Sequence, residues 1–143
     1  MSAPYHGACN CGAVTLTIAS EPLWVRQCWC RQCQKAAAGN ATCNGLFQTE
    51  GMTVDGTVTW RGYTAASGNT VEHGFCPTCG SQLFGRNPSR EGAQVVRLGA
   101  LDDAQDLKVN AIIWTSEAPD WAYFDPKVEH WSAQPPGPAA KSA

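Results

Sequence analysis

The sequence predicts a mostly β domain with one short helix, on three observations. Short apolar segments separated by glycines recur along the chain, as in proteins built from many short strands. Residues 31–38 are rich in helix formers, and Gly39 supplies a helix stop directly after them. Seven of the eight cysteines in 143 residues fall in closely spaced groups. A chain of this length suits one compact domain, so we expect a domain over residues 1–133 and a tail over 134–143.

The strands are predicted from the spacing of apolar residues. Val14, Leu16 and Ile18 alternate with threonines, the period of a half-buried strand. A second short strand is expected just before the helix. Strands are predicted over residues 14–18, 23–28, 42–47, 57–63, 71–75, 94–98 and 107–114. The tail contains three prolines and almost no large apolar residue, so we expect it to be disordered.

Composition narrows the classes of partner. A hydrophobic fraction of 43% with 15% charged residues is typical of a globular protein, and no apolar run reaches the roughly 18 residues of a membrane span. The net charge of -2 and the absence of Lys or Arg runs argue against nucleic acid and anionic membranes as partners. The first residues show no secretory signal, so we expect a cytoplasmic, reducing location and a small-molecule partner.

The spacing of the cysteines favours metal over disulfide bonds. Thiols two or three positions apart cannot easily form separate bridges, but they can share one tetrahedral ion. The groups are Cys9-x-Cys11, Cys28-x-Cys30-x-x-Cys33 and Cys76-x-x-Cys79. The sequence therefore predicts zinc, with about two ions per chain.

The simplest first site joins Cys9 and Cys11 with Cys76 and Cys79. Each pair supplies half a tetrahedron, and Gly80 can provide the tight turn after the second pair. Such a closed four-cysteine site leaves no position for substrate and would stabilise the fold. The alternative is two unrelated buried or redox-active thiol pairs.

The second site is the triplet Cys28, Cys30 and Cys33. Three protein ligands with an exchangeable fourth are the general plan of a catalytic zinc. Three soft thiolates favour a thiol as the fourth ligand, which indicates thiol-dependent chemistry on an aldehyde or a thioether. Alternatively, Cys43 closes the site into a second inert cage, and the protein is a non-catalytic binding module with two four-cysteine sites.

Several other side chains have two interpretations each. Trp29, between two triplet cysteines, either lines a pocket or packs against the zinc cluster. His73 is a candidate proton shuttle, with an ordinary surface or core histidine as the alternative. Arg31 and Lys35, on the predicted helix, either anchor a substrate carboxylate or lie on a solvated face.

The order of motifs resembles the glutathione-dependent formaldehyde-activating enzyme family, which includes centromere protein V-like proteins. The similarity runs from about Tyr5 to Trp131 and is carried by residues 7–12 (GACNCG), 28–33 (CWCRQC) and 75–81 (FCPTCGS). The resemblance implies several coiled β-sheets, a structural zinc on the first and last motifs, and a catalytic zinc on the triplet. It also implies carbon-sulfur lyase chemistry, the reversible addition of glutathione to formaldehyde.

The chain departs from the family pattern around the triplet. Trp29 and His73 stand where the family usually has His and Arg, Gln34 and Lys35 occupy the region where an Arg is usual, and Asn110 replaces a later His. Glutathione carries two carboxylates, and fewer cations near the site weaken the case for it. We therefore expect a carbon-sulfur lyase acting on a thiol-aldehyde adduct similar to S-hydroxymethylglutathione, with glutathione as one possible thiol.

Overall fold

The computed structural model describes residues 2–65 and 67–136, and within them the chain is mostly β with one short α-helix. This confirms the predicted fold class. The helix is α1 (Arg31–Ala36), and 3-10 turns occur at Leu98–Ala100 and Thr115–Glu117. The strands are β1 (Tyr5–Ala8), β2 (Thr15–Ile18), β3 (Trp24–Cys28), β4 (Thr42–Gln48), β5 (Met52–Asp55), β6 (Thr59–Thr64), β7 (Thr70–Phe75), β8 (Gln82–Arg86), β9 (Ala93–Arg97), β10 (Ala111–Ile113) and β11 (Glu129–His130). No helix among the described residues has the length and apolarity to cross a membrane.

The predicted segments match these elements unevenly. Most predicted strands are present within a few residues of the expected bounds, but the strand predicted over 107–114 is only β10. Four short strands, β1, β5, β8 and β11, were not predicted. The helix ends at Ala36, before the predicted limit at 38, because the next residues leave helical geometry: Ala38 and Gly39 have φ of 57° and 104°. Most of the predicted tail, residues 137–143, lies outside the described residues.

The chain divides into two compact units. Unit 1 is Met1–Val25 with Cys43–Lys108, and unit 2 is Arg26–Thr42 with Val109–Ala143. Two of the boundaries between the units fall within strands: one lies inside β3, and the other lies directly after the first residue of β4. The domain limits expected from the sequence, 1–133, remain a prediction.

Unit 1 contains two sets of antiparallel strands. One is a sheet in the order β1-β2-β5, and the other runs β4-β9-β8-β7-β6. On β2, Leu16 and Ile18 are buried while Thr15 is exposed, as the alternation predicts. The core of this unit includes Tyr5, Phe47, Leu83, Phe84, Val96 and Leu101, together with Cys9 and Cys76.

The backbone of β1 passes so close to the chain after β9 that a glycine is required in β1. A Cβ on Gly7 would collide with the carbonyl oxygen of Ala100. Without it, Gly7 forms an antiparallel bridge with Leu101, and the N–H of Asp102 donates to the carbonyl of His6 at 2.8 Å. The segment that leads to Cys9 is therefore anchored to the chain after β9.

Unit 2 is built on parallel pairing. β10 pairs in parallel with the Arg26–Cys28 part of β3 and with β11. Helix α1 begins immediately after this part of β3, with Cys30 as its N-cap residue. The triplet therefore straddles a strand-to-helix junction, as predicted: Cys28 ends β3, Cys30 caps the helix and Cys33 lies within it.

Candidate metal centres

Four cysteines of unit 1 come together at two hairpin turns. Cys9 and Cys11 lie between β1 and β2, and Cys76 and Cys79 lie between β7 and β8. Their four sulfurs all lie within 4.8 Å of one another. Gly80, at φ 79°, closes the second turn, where its N–H donates to the carbonyl of Cys76 at 2.8 Å. The turns at the ends of two hairpins thus bring distant parts of the sequence to one point.

The sulfur separations fit a tetrahedral metal. Cys9 Sγ and Cys11 Sγ are 3.7 Å apart, and Cys11 Sγ and Cys76 Sγ are 3.8 Å apart. A zinc ion with Zn–S bonds of about 2.3 Å separates its sulfurs by about 3.8 Å, whereas a disulfide requires about 2.05 Å. None of the eight cysteines, all of them within the described residues, forms a disulfide bond. This cluster could hold a metal ion, and its four soft donors suit zinc.

Hydrogen bonds to the sulfurs of Cys9 and Cys79 favour the ionised form of these two thiols. The N–H groups of Val14 and Thr78 donate to the sulfurs of Cys9 and Cys76 at 3.2 and 3.4 Å. The side chain and then the backbone of Ser81 lower the pKa of Cys79 to about 5. Thiolates rather than thiols bind metal, so these contacts prepare the site for an ion.

Ser81 connects the two halves of the four-cysteine cluster. Its hydroxyl oxygen accepts from the N–H of Asn10 at 2.9 Å and lies 3.2 Å from the sulfur of Cys79. With its oxygen accepting from Asn10, the hydroxyl proton can point to the thiolate. The sequence analysis missed this residue, because a serine after a metal knuckle has no distinctive local signal.

The triplet forms a second cluster, in unit 2. The sulfurs of Cys28, Cys30 and Cys33 lie within 4.8 Å of one another, and Cys28 and Cys33 are buried. The cluster packs against Ala111, Ile113, Trp114 and Trp131. Three thiol donors in an apolar setting could hold a metal ion, and the structure joins the three residues predicted from the spacing.

The triplet needs a cation if its thiols are to ionise. Contact with Cys30, then contact with Cys33 and burial raise the pKa of Cys28. Contact with Cys28 favours ionisation of Cys30, but Cys33 and burial outweigh it and raise the pKa of Cys30. Adjacent thiolates repel each other in a buried site, whereas a divalent ion stabilises all of them together. The chemistry of this donor set therefore fits a bound metal.

The residues around the triplet are held by a small polar network. The N–H of Arg31 donates to the Glu117 carboxylate at 2.7 Å, and its guanidinium donates to Gln34 Oε1 at 2.6 Å. Lys35 is exposed. Of the two cations considered as substrate anchors, Arg31 has partners in this network and Lys35 lies on the exposed face.

Trp29 is buried among other aromatic side chains, and its two predicted roles, lining a pocket or packing against the zinc cluster, stay predictions. It is 3% exposed, and its ring meets Trp121 and Phe124 edge-on at centroid distances of 6.3 and 5.9 Å. Edge-on aromatic contacts of this kind stabilise beyond the area that they bury. Trp29 is thus part of an aromatic cluster in unit 2, whose outer member Trp121 is 67% exposed.

The two remaining residues that the sequence predicts for the site, a possible fourth zinc ligand and a possible proton shuttle, lie in unit 1. Cys43 is half-buried on β4, and burial raises the pKa of its thiol. His73 lies on β7 between Arg61 of β6 and Gly85 of β8, and its ring meets Tyr63 edge-on at 5.3 Å. The role of Cys43 as a fourth zinc ligand and the role of His73 as a proton shuttle both stay predictions.

Unit 1 also has a cavity of about 410 Å³. Met52, Val54, Val58, Trp60 and Phe84 form most of its wall, with Thr49 and Gln94 as polar members. None of the eight cysteines lines it. The side chains that form its wall include no titratable group.

Comparison with known proteins gives a family and a fold. The family model described as "Glutathione-dependent formaldehyde-activating enzyme" matches residues 4–117. Among solved structures, a crystal structure of a Rhodobacter sphaeroides protein is similar, with a TM-score of 0.54 and 20% sequence identity. The similarity covers 88% of this chain and 98% of that one, and at this identity it concerns the fold alone. Comparison with curated proteins gives no match.

Proposed function

The chain belongs to the glutathione-dependent formaldehyde-activating enzyme family, and on that premise we propose that it is a zinc-dependent carbon-sulfur lyase acting on a thiol-aldehyde adduct. The observation that carries this proposal is the difference between the two clusters, four sulfurs in one and three in the other. Four protein donors complete a tetrahedral zinc, whereas three leave one position for an exchangeable ligand.

In this proposal the four-cysteine cluster is structural. Cys9, Cys11, Cys76 and Cys79 would hold one zinc that connects two hairpin turns. Structural zinc contributes about 10 to 16 kcal/mol of binding free energy, which is comparable to the whole stability of a domain, about 5 to 15 kcal/mol. Folding should therefore depend on this ion. Cysteines that form no disulfide bonds suit a reducing compartment such as the cytoplasm.

The triplet is the working site in the proposal. Cys28, Cys30 and Cys33 would hold a zinc that supplies Lewis acidity and lowers the pKa of a thiol. The apolar side chains packed against the cluster, Ile113 and Trp114 among them, limit the access of water to the sulfurs. Such a setting strengthens electrostatic interactions with the reacting atoms.

The reaction is the reversible addition of a thiol to an aldehyde. A bond forms between the thiol sulfur and the carbonyl carbon, and the thiol proton ends on the former carbonyl oxygen. In the lyase direction the carbon-sulfur bond breaks, and the hydroxyl proton returns to the sulfur. The sequence predicts His73 as a carrier of this proton, since the unperturbed pKa of histidine lies near neutrality.

We expect this protein to prefer a thiol other than glutathione. Glutathione brings two carboxylates, which arginine side chains usually bind. The cations Arg31 and Lys35 lie within a few residues of the triplet in sequence, and the Arg31 guanidinium uses one of its N–H donors for Gln34. Weak turnover of the glutathione-formaldehyde adduct and faster turnover of an adduct with a small neutral thiol are therefore expected.

Cobalt substitution tests whether the metal ion on the triplet has an open fourth coordination position. The protein is loaded with Co²⁺ and titrated with glutathione and with 2-mercaptoethanol, while the sulfur-to-cobalt charge-transfer absorption is followed. A new band that saturates with thiol supports a working site at the triplet. A spectrum unchanged by either thiol, with four sulfurs around each ion by X-ray absorption, refutes it and favours the binding module with two closed sites.

The variant Cys43→Ala is the matched control for this titration. If the triplet is open, the variant keeps both the wild-type sulfur count and the thiol response. If Cys43 is the fourth ligand, the variant loses one sulfur and gains a thiol response that the wild type lacks.

A further inference from the structure

Gln34 is a buried polar residue next to the last cysteine of the triplet. It lies on α1 and is only 4% exposed. Its side-chain nitrogen donates to the carbonyl of Trp29 at 2.6 Å and to the carbonyl of Glu117 at 2.9 Å. Its side-chain oxygen accepts from the Arg31 guanidinium at 2.6 Å. Both amide hydrogens and the amide oxygen are therefore used, which an amide buried to this degree requires.

The contact with Trp29 acts on the backbone between two of the clustered cysteines. The carbonyl that Gln34 binds belongs to the peptide unit joining Trp29 to Cys30. The N–H of Trp29 donates in turn to the carbonyl of Ile113 at 3.0 Å. The residue between Cys28 and Cys30 is therefore held by hydrogen bonds at its N–H and at its carbonyl.

The contact with Glu117 extends this support to the other side of the cluster. Glu117 ends the 3-10 turn that follows Trp114, and Trp114 packs against the triplet. Trp114 has φ 60° and ψ 36°, a left-handed conformation that a bulky residue keeps only where its surroundings hold it. Gln34 connects the end of this turn to the segment that carries the sulfurs.

We propose that Gln34 is the positioning residue of the triplet metal centre. Its amide sets the orientation of the peptide between Cys28 and Cys30, and it ties that peptide to the turn that carries Trp114. The proposal rests on the proposed function, because it assumes a metal ion on the triplet. Residues that orient metal ligands in this way typically change metal affinity or activity by about 10- to 100-fold when replaced.

The test uses two variants that remove the amide donors in different ways. Gln34→Glu keeps the shape and the acceptor for Arg31 but loses both N–H donors, and Gln34→Met keeps the length without any polar atom. Gln32→Met, on an exposed position of the same helix, is the matched control. Arg31→Met removes the Arg31 side-chain contact and leaves the two amide-to-carbonyl bonds in place.

The readout is the affinity of each of the two metal equivalents, measured by competition with a chelator, together with the cobalt spectrum. Both Gln34 variants should bind the second equivalent about 10- to 100-fold more weakly and show a perturbed tetrahedral cobalt spectrum. The first equivalent should stay at wild-type affinity, which also shows that the variants fold. The Gln32 control should match the wild type, and Arg31→Met should change less than the Gln34 variants.

Three outcomes separate this inference from the proposed function. If the wild type binds only one metal ion, the proposed working zinc fails and Gln34 has no such role. If the wild type binds two and both Gln34 variants bind the second as tightly, the inference is overturned while the proposed function stands. If Gln34→Glu loses both ions equally, Gln34 is a folding residue and the inference is again overturned.

Discussion

Removing one ligand from each metal centre should have unequal effects on stability. The perturbations are Cys79→Ala and Cys30→Ala, both at partly exposed cysteines, so neither leaves a deep cavity in the core. The first centre connects Cys11 to Cys76, 65 positions apart, whereas the second connects Cys30 to Cys33, three positions apart. The first ion therefore restricts the unfolded chain far more than the second.

The size of the stability loss follows from the difference in the number of residues that each metal centre spans. Closing a loop of 65 residues is worth about 4 kcal/mol by the chain-entropy estimate, and closing one of three residues less than about 2 kcal/mol. If each variant loses the ion at its site, Cys79→Ala loses about 4 kcal/mol of this restraint and Cys30→Ala less than about 2 kcal/mol. At about 4 °C per kcal/mol for a chain of this size, the melting temperature of Cys79→Ala falls by about 16 °C.

The assay is thermal unfolding with one added zinc equivalent per site, under reducing conditions and followed by circular dichroism. We expect Cys79→Ala to melt far below the wild type or to aggregate, and Cys30→Ala to lose about one zinc and melt less than about 8 °C lower. Equal losses in the two variants, or a larger loss in Cys30→Ala, would refute the division into a structural and a working site.

Three further predictions concern the metal content and two individual side chains. Protein purified reduced and without chelator should contain about two zinc ions per chain by elemental analysis, and less than one would contradict the assignment of two sites. Ser81→Ala should weaken the first metal about 10-fold in chelator competition and leave the second unchanged, with the exposed Ser89→Ala as control, because Ser81 joins Asn10 to Cys79. Burial and the hydrogen bond to Glu21 raise the pKa of Tyr5 to about 12, so the unfolded state, with a tyrosine pKa near 10, ionises first and stability falls between about pH 10 and 12. In urea titrations, Tyr5→Phe should flatten the fall of the free energy of unfolding between about pH 10 and 12, whereas the exposed Tyr123→Phe should not. Equal pH curves for the two variants would contradict the link between the Tyr5 pKa and stability.

Local spacing was enough to predict the parts of the molecule that local physics decides. The alternation around Leu16 predicted β2, and the run of helix formers ending near Gly39 predicted α1. The thiol pairs and the triplet were predicted as ligand groups because residues two or three positions apart can share an ion without help from the rest of the chain. The joining of Cys9 and Cys11 with Cys76 and Cys79 was also predicted, since each pair needs a second pair to complete a tetrahedron.

Tertiary structure decided what depends on contacts between distant residues. The strand β1 was not predicted, and it forms by pairing with β2 and bridging to Leu101. The sequence around Gln34 suggests an ordinary helix surface, yet the residue is buried. Its amide can be buried because it donates hydrogen bonds to carbonyls five and 83 positions away. Ser81 acquires its role from Asn10, 71 positions earlier. A metal ligand is recognisable from its own chemistry and its near neighbours, whereas the groups that orient it are chosen by the packing of the whole unit, and only the folded chain brings them into contact.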